Sequence, residues 1–360
     1  IILMLNTDGI SLSRSSKITL YPLLLTICEV PSQLRSSFMI LNGIWCDTEH
    51  PPMNMFLRVF VESLISIHNR DGVSWTHLDN WNIQITSVVL APAMCADAPV
   101  RAQLQNIMSH TGLYSCNTCE QKMEKIPLTP DELILLDQRQ IKRKSAFLFK
   151  EEPARLQTNK RMLKQARKAV KEKKEIKGVK GPSVLSLILY LDLSKCVFGE
   201  YMHLVCLGVV HRFMNLWFNV NGGEWYIGNH VNEINQLLIN IRPPNIISRL
   251  PRGISESKLW KASEFRAFLL YYSLPILSKF LPNAYLQHWI LFVLSIHLLL
   301  QKDIKLSDIK MTEIMLRMFV RDIGILYRPS DYVYNVHVLF KVIRIGNFVC
   351  RSPNFIEKNV

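Results

Sequence analysis

Three acidic residues far apart in the chain could do chemistry together: Asp8 in "NTDGI", Asp97 in "CADAPVRAQ" and Glu264 in "KASEF". Carboxylates are the hard oxygen donors that Mg²⁺ or Mn²⁺ takes, and in-line phosphoryl transfer uses two such ions about 4 Å apart. One serves the attacking oxygen and the other the leaving oxygen. A second donor set is soft. Cys116 and Cys119 in "SCNTCE" have the Cys-x-x-Cys spacing of a zinc site. They follow an expected helix instead of opening one, which favours a zinc knuckle over a redox pair. Hard and soft donors select different ions, so the two sets serve different purposes. Taken singly, each acid also has an ordinary role: Asp8 as a turn former, Asp97 as a helix N-cap and Glu264 as a first-turn helix acid.

The elements that would position these residues can be read from periodicity. Residues 1–9, 18–31 and 38–46 are apolar runs bounded by Gly, Pro, Ser or Asp and rich in branched or aromatic side chains, which predicts three strands. In 54–69, apolar Phe56, Val59, Phe60, Leu64 and Ile67 recur at helical spacing and stop at "RDG". Residues 82–97 predict a fourth strand. A helix follows, with Pro99 at its start and Gly112 at its end. Three strands pairing as a meander, then a helical crossover to a fourth strand beside the first, is the opening of an RNase H-like fold. Asp8 and Asp97 would then end neighbouring strands.

Beyond the Cys pair the pattern changes. Residues 124–182 read as charged and helical and end at the Gly/Pro break "KGVKGP", too long a stretch for an ordinary loop. From 183 onward the chain is apolar with helical periodicity. The expected organisation is α/β: the N-terminal part of the core over 1–112, a Cys-pair, basic and helical insertion over 113–255, a helical C-terminal part carrying the third acid over 256–345, and a tail over 346–360. The 49% hydrophobic content and mean hydropathy of +0.11 exclude a mainly disordered chain. The most apolar segment, 289–301, is shorter than the ~20 residues of a membrane span and contains His297, so it reads as a core helix. The opening "IILML" lacks the basic flank of a secretory leader, and its start inside an apolar run reads as a fragment.

The formal net charge is +14. Residues 142–180 hold 15 Lys and Arg against 4 Glu, which is +11. A concentration of cations on this scale is what neutralises phosphates. Few aromatics interleave, so this segment would grip nucleic-acid backbone without reading much sequence. Six of the eight cysteines are isolated in apolar surroundings and read as reduced core residues of an intracellular protein.

Six strings occur in order along nearly the whole chain: "NTDGI…SSK", "CADAPVRAQ…HTGLYSCNTCE", "KGVKGPSVL", "GEYMHLVCLGVVHRFMNLW", "WKASEFRAFLLYYSLPIL" and "YNVHVLFKV". Together they resemble the transposase domain of CACTA-type (En/Spm-like) DNA transposons, in the animal branch. The resemblance implies an RNase H-like (DDE transposase) core interrupted by a mostly helical insertion with a zinc-type Cys pair. It implies a catalytic triad of Asp8, Asp97 and Glu264 holding Mg²⁺ or Mn²⁺. Glu200 in "GEYMH" is the alternative third acid, at a place where the family more usually has Asp-Tyr-Met-His. For zinc it implies Cys116 and Cys119 completed by a "YNxHxxxH" pair, of which His337 is present. The second His position holds Lys341, which cannot ligate zinc at neutral pH, so the site holds zinc weakly, takes another ligand such as His203 or His211, or is lost. The implied activity is cutting and joining DNA in the nucleus by a homo-oligomer, in an active, decayed or domesticated copy, with a separate DNA-binding domain upstream. The rival expectation is a non-catalytic DNA-binding protein derived from a transposase.

Overall fold

A computed structural model describes residues 1–13, 17–31, 33–128, 143–245, 247 and 249–344, without the side chains of 143, 198 and 340–344. The expected tail 346–360 lies outside these residues, as does the side chain of Lys341. Mixed α/β secondary structure divides into two compact units: 1–120 with 154–200, and 121–153 with 201–360. The expected insertion 113–255 thus contributes to both.

The described strands are β1 (Ile2–Asn6), β2 (Ile10–Ser11), β3 (Thr19–Ile27), β4 (Ile40–Asp47), β5 (Val73–His77), β6 (Asn80–Ser87), β7 (Leu90–Ala96), β8 (Glu124–Pro127), β9 (Arg143–Ala146) and β10 (Val197–Gly199). All but β8 and β9 belong to the first unit. Its main sheet runs β10-β7-β1-β3, with β3 pairing further with β2 and β4. β1–β3 and β3–β4 are antiparallel, whereas β7 is parallel to both β1 and β10. The expected meander and the fourth strand beside the first are therefore present. The run 82–97 is not one strand, however. It breaks at Ser87–Leu90, and its first half folds back on β5 as a separate hairpin.

The local sequence explains where this sheet opens. β1 alternates, burying Leu3 and Leu5, while β3, flanked on both sides, is almost continuously apolar. Asn6↔Leu24 and Ile10↔Leu20 keep one register, which sets Asp8 opposite Pro22 and Gly9 opposite Tyr21. Pro22 has no N–H to donate, so β1 and β2 part where pairing costs least. Asp8 lies in that gap. Helices α1 (Met53–Phe56), α2 (Arg58–Asn69), α3 (Ala98–Leu104) and α4 (Asn159–Glu172) complete the unit. They share one hydrophobic core with the strands, including Leu5, Leu23, Phe60, Val61, Met94, Leu104 and Met162.

In the second unit β8 pairs antiparallel with β9, and the rest is helical: α5 (His211–Asn219), α6 (Val231–Ile239), α7 (Ala262–Ala267), α8 (Ser273–Leu277), α9 (Asn283–Leu299), α10 (Leu306–Leu326) and α11 (Tyr334–Arg344). Among the described residues of 124–182, the expected helical character is realised in α4; β8 and β9 occupy part of the remainder. Phe213, Trp217, Trp289, Phe292, Phe319 and Tyr327 form an aromatic core. No helix among the described residues is long and apolar enough to cross a membrane.

His288 of α9 is stacked on Phe319 with ring centroids 4.4 Å apart, and its Nε2–H donates to the Phe319 carbonyl at 2.8 Å. Nδ1, the ring's acceptor, is buried without a donor among the described residues. Burial pushes the imidazole down to about 4, outweighing the Phe319 hydrogen bond and the Asp322 charge. A depressed folded-state value means that the neutral ring's stabilisation is fully present above the unfolded value of 6.5 and is lost as pH falls through about 4. The expected loss across that window is up to about 3 kcal/mol, read as a drop in Tm. His288→Gln should flatten the drop.

Candidate active site

Three strands of the first unit run parallel and end at one edge, and each end is followed by an acid. In register, Asn6, Cys95 and Phe198 lie on one rung across β1, β7 and β10. Asp8, Asp97 and Glu200 each stand two residues beyond that rung. With neighbouring strands about 4.8 Å apart, the Cα atoms of that rung are spread over about 10 Å, with Cys95 in the middle. Asn6 Nδ2 donates to the Cys95 carbonyl at 3.2 Å, tying β1 to β7 just before the two aspartates.

Asp97 is the N-cap of α3. Its Oδ1 accepts from the Val100 amide at 2.8 Å, and a proline follows in the first turn. A carboxylate has about four lone-pair sites, so the cap leaves acceptor capacity for a cation. Asp8 Oδ1 accepts from the Gly9 amide at 2.8 Å. Glycine is required at 9 by close approach: a Cβ there would lie 2.7 Å from the Tyr21 ring and hydroxyl. Tyr21 is buried and bonded through its hydroxyl to His50 Nδ1. Its phenol is held above the usual value by burial first and then by the charges of Asp8 and Asp97, which marks both carboxylates as electrostatic neighbours of one hydroxyl. Neither Tyr21 nor His50 was signalled by sequence, because a tyrosine inside an apolar strand reads as core. Thr7, fully buried beside Asp8, keeps Oγ1 without a partner among the described residues.

Glu264 belongs to the second unit, at the third position of α7. Both its oxygens are engaged: Oε1 by Arg252 Nε at 2.7 Å, and Oε2 by Arg252 Nη2 and the Lys261 amide, each at 2.8 Å. Burial raises the carboxyl's pKa, but the Arg252 hydrogen bond, the Lys261 amide and the nearby guanidinium charges prevail and hold it below the usual range. This bidentate fork and helix cap together are a structural clasp.

The soft donors are buried. Cys116 and Cys119 of the first unit are reduced, with Cys116 Sγ 3.1 Å from Thr118 Oγ1. Their turn is held by main-chain bonds: the Gln157 amide donates to the Thr118 carbonyl and the Glu120 amide to the Arg155 carbonyl, both at 2.9 Å. In the second unit, His337 of α11 is buried and stacked on Phe147, with centroids 3.9 Å apart and planes 10° apart.

Basic character is concentrated on α4. Met162, Gln165, Ala166 and Ala169 face inward, while Lys160, Lys164, Arg167, Lys168 and Lys171 are exposed. Thr158 caps the start and Lys173, in a left-handed conformation, ends the helix. No protein-family model matches the chain, and no curated protein matches it significantly.

Proposed function

We propose that the chain is a transposase-like polynucleotidyl transferase on an RNase H-like core, cutting and joining DNA by two-metal phosphoryl transfer. The observation that carries this reading is the common level of Asp8, Asp97 and Glu200 on one edge of three adjacent parallel strands. A meander whose first strand has the fourth beside it supports the RNase H-like assignment, and the six ordered strings support the transposase resemblance. Asp8, Asp97 and Glu200 would hold Mg²⁺ or Mn²⁺, since three carboxylates at one edge are the hard donor set such ions take. Bound metal would supply Lewis acidity to the attacking and leaving oxygens. Of the two candidates for third acid, Glu200 is favoured because its strand adjoins that of Asp97. The partner would be nuclear DNA, handled by a homo-oligomer.

Nicking of supercoiled plasmid in Mn²⁺ separates the two acids. Glu200→Gln is expected to abolish nicking per folded molecule. Glu264→Gln should instead lower Tm by weakening the Arg252 fork, by about 1–3 kcal/mol, and leave nicking per folded molecule intact. The reverse pattern would return the third position to Glu264. Equal nicking by wild type and both variants would leave the non-catalytic DNA-binding reading.

The exposed face of α4 would hold the DNA backbone. Replacing Lys164, Arg167 and Lys171 together by Ala is expected to weaken binding equally for unrelated sequences. The slope of log affinity against log salt should fall by up to about 2.7, at about 0.9 per phosphate contact. An unchanged slope would remove α4 from the interface.

Cys116 and Cys119 would hold a zinc ion. The donor chemistry fits: two buried thiols without a disulfide. Two thiolates leave two tetrahedral positions for further ligands, one of which the resemblance assigns to His337.

A further inference from the structure

We infer that Asn117, between the two cysteines, is a positioning residue for Glu200; this rests on the transferase reading above. β10 is only three residues long and is the end strand of its sheet, paired with β7 alone among the described strands. So short an end strand is held weakly by its own ladder. In a parallel pair, alternate residues turn their peptide groups toward the partner. The Cys196 carbonyl accepts from the Met94 amide of β7 at 2.7 Å, so the carbonyl of the next residue, Val197, turns outward. There it accepts from Asn117 Nδ2 at 3.1 Å.

Asn117 is buried, and its Oδ1 has no partner among the described residues. An amide placed so as to leave its acceptor unused is retained for its donor. The turn leading into β10 is fastened in the same manner: Gln105, at the end of α3, donates from Nε2 to the Leu193 carbonyl at 2.6 Å. One short helix therefore starts on Asp97 and ends on the turn that feeds Glu200. Asn117 closes the other side of that strand. Its own turn is bonded to 155–157 at the foot of α4, and Gln165 of α4 donates to Glu120 at 2.8 Å. The Cys-x-x-Cys turn thus links the basic helix to the carboxylate edge, and its role extends beyond stapling a loop.

The test uses the full chain in two readouts. In Asn117→Ala, or in Asn117→Ser if the former does not fold, backbone amides over 196–199 are expected to exchange about tenfold faster, while those of β1 and β3 keep their rates. The Mn²⁺ dissociation constant should rise in Asn117→Ala as it does in Glu200→Ala. The double variant should bind no worse than Glu200→Ala alone, because both changes act through one carboxylate. Unchanged exchange overturns the anchor. Faster exchange with unchanged Mn²⁺ affinity, or fully additive losses in the double variant, overturns the link to Glu200. A wild-type chain that takes up no Mn²⁺ overturns the transferase reading and the inference with it, and the exchange rates distinguish that failure from failure of the anchor.

Discussion

Asp97→Asn is expected to melt like the wild type and to lose nicking of plasmid DNA by about a thousandfold, equivalent to about 4 kcal/mol of transition-state stabilisation. The two halves of this result come from two jobs of one side chain. As the N-cap of α3, Asp97 uses a single oxygen to accept from Val100, and asparagine performs that task as well, so stability should move by less than about 0.5 kcal/mol. As the proposed metal ligand it would use its negative charge, which asparagine lacks. Asp97→Ala removes both and should cost about 1 kcal/mol of stability in addition. Comparing the two variants in thermal unfolding and Mn²⁺ titration therefore separates cap from ligand. Equal Mn²⁺ affinity in wild type and Asp97→Asn would mean that the cap is the whole role of this residue.

The second large effect is expected at the cysteines. A chain purified without chelator should carry one zinc, and Cys116→Ser should carry none and melt at least about 5 °C lower. Metal-ligand energy is folding energy, because the ion would fix a turn that the unfolded chain leaves open. Equal zinc content in wild type and Cys116→Ser would rule the pair out as ligands. The buried thiols would then be packing groups beside Thr118.

Asp8 and Asp97 were legible because each carries a local signal that also fixes the backbone: "DG" after an alternating strand, and Asp-Ala-Pro before a helical period. The order of the first four strands of the sheet followed from the same signals. β10 was not legible. Three residues cannot display a period of two, and "VFG" runs directly into the apolar helical string that follows, so Glu200 looked like a helix residue. Most of β6 merges with β7 in the apolar run 82–97 because no Gly or Pro marks the break near Val88, and β5 lies outside that run. Tyr21 could not be singled out, since its importance comes from lying opposite Gly9 across the gap at Pro22, which is a matter of register. For Glu264 the first-turn helix reading was available from the sequence, but its partner Arg252, twelve residues earlier, carries no pattern that ties it there.

The central claim is that the carboxylate edge of the first unit is a metal-dependent nucleic-acid-cutting site. The most direct measurement is the initial rate of conversion of supercoiled to nicked plasmid in Mn²⁺ by wild type and by Asp97→Asn, purified in parallel and matched for folded content. The expected result is nicking by the wild type that needs the metal and falls about a thousandfold in the variant. Equal rates in the two proteins, or none in either, would contradict the claim.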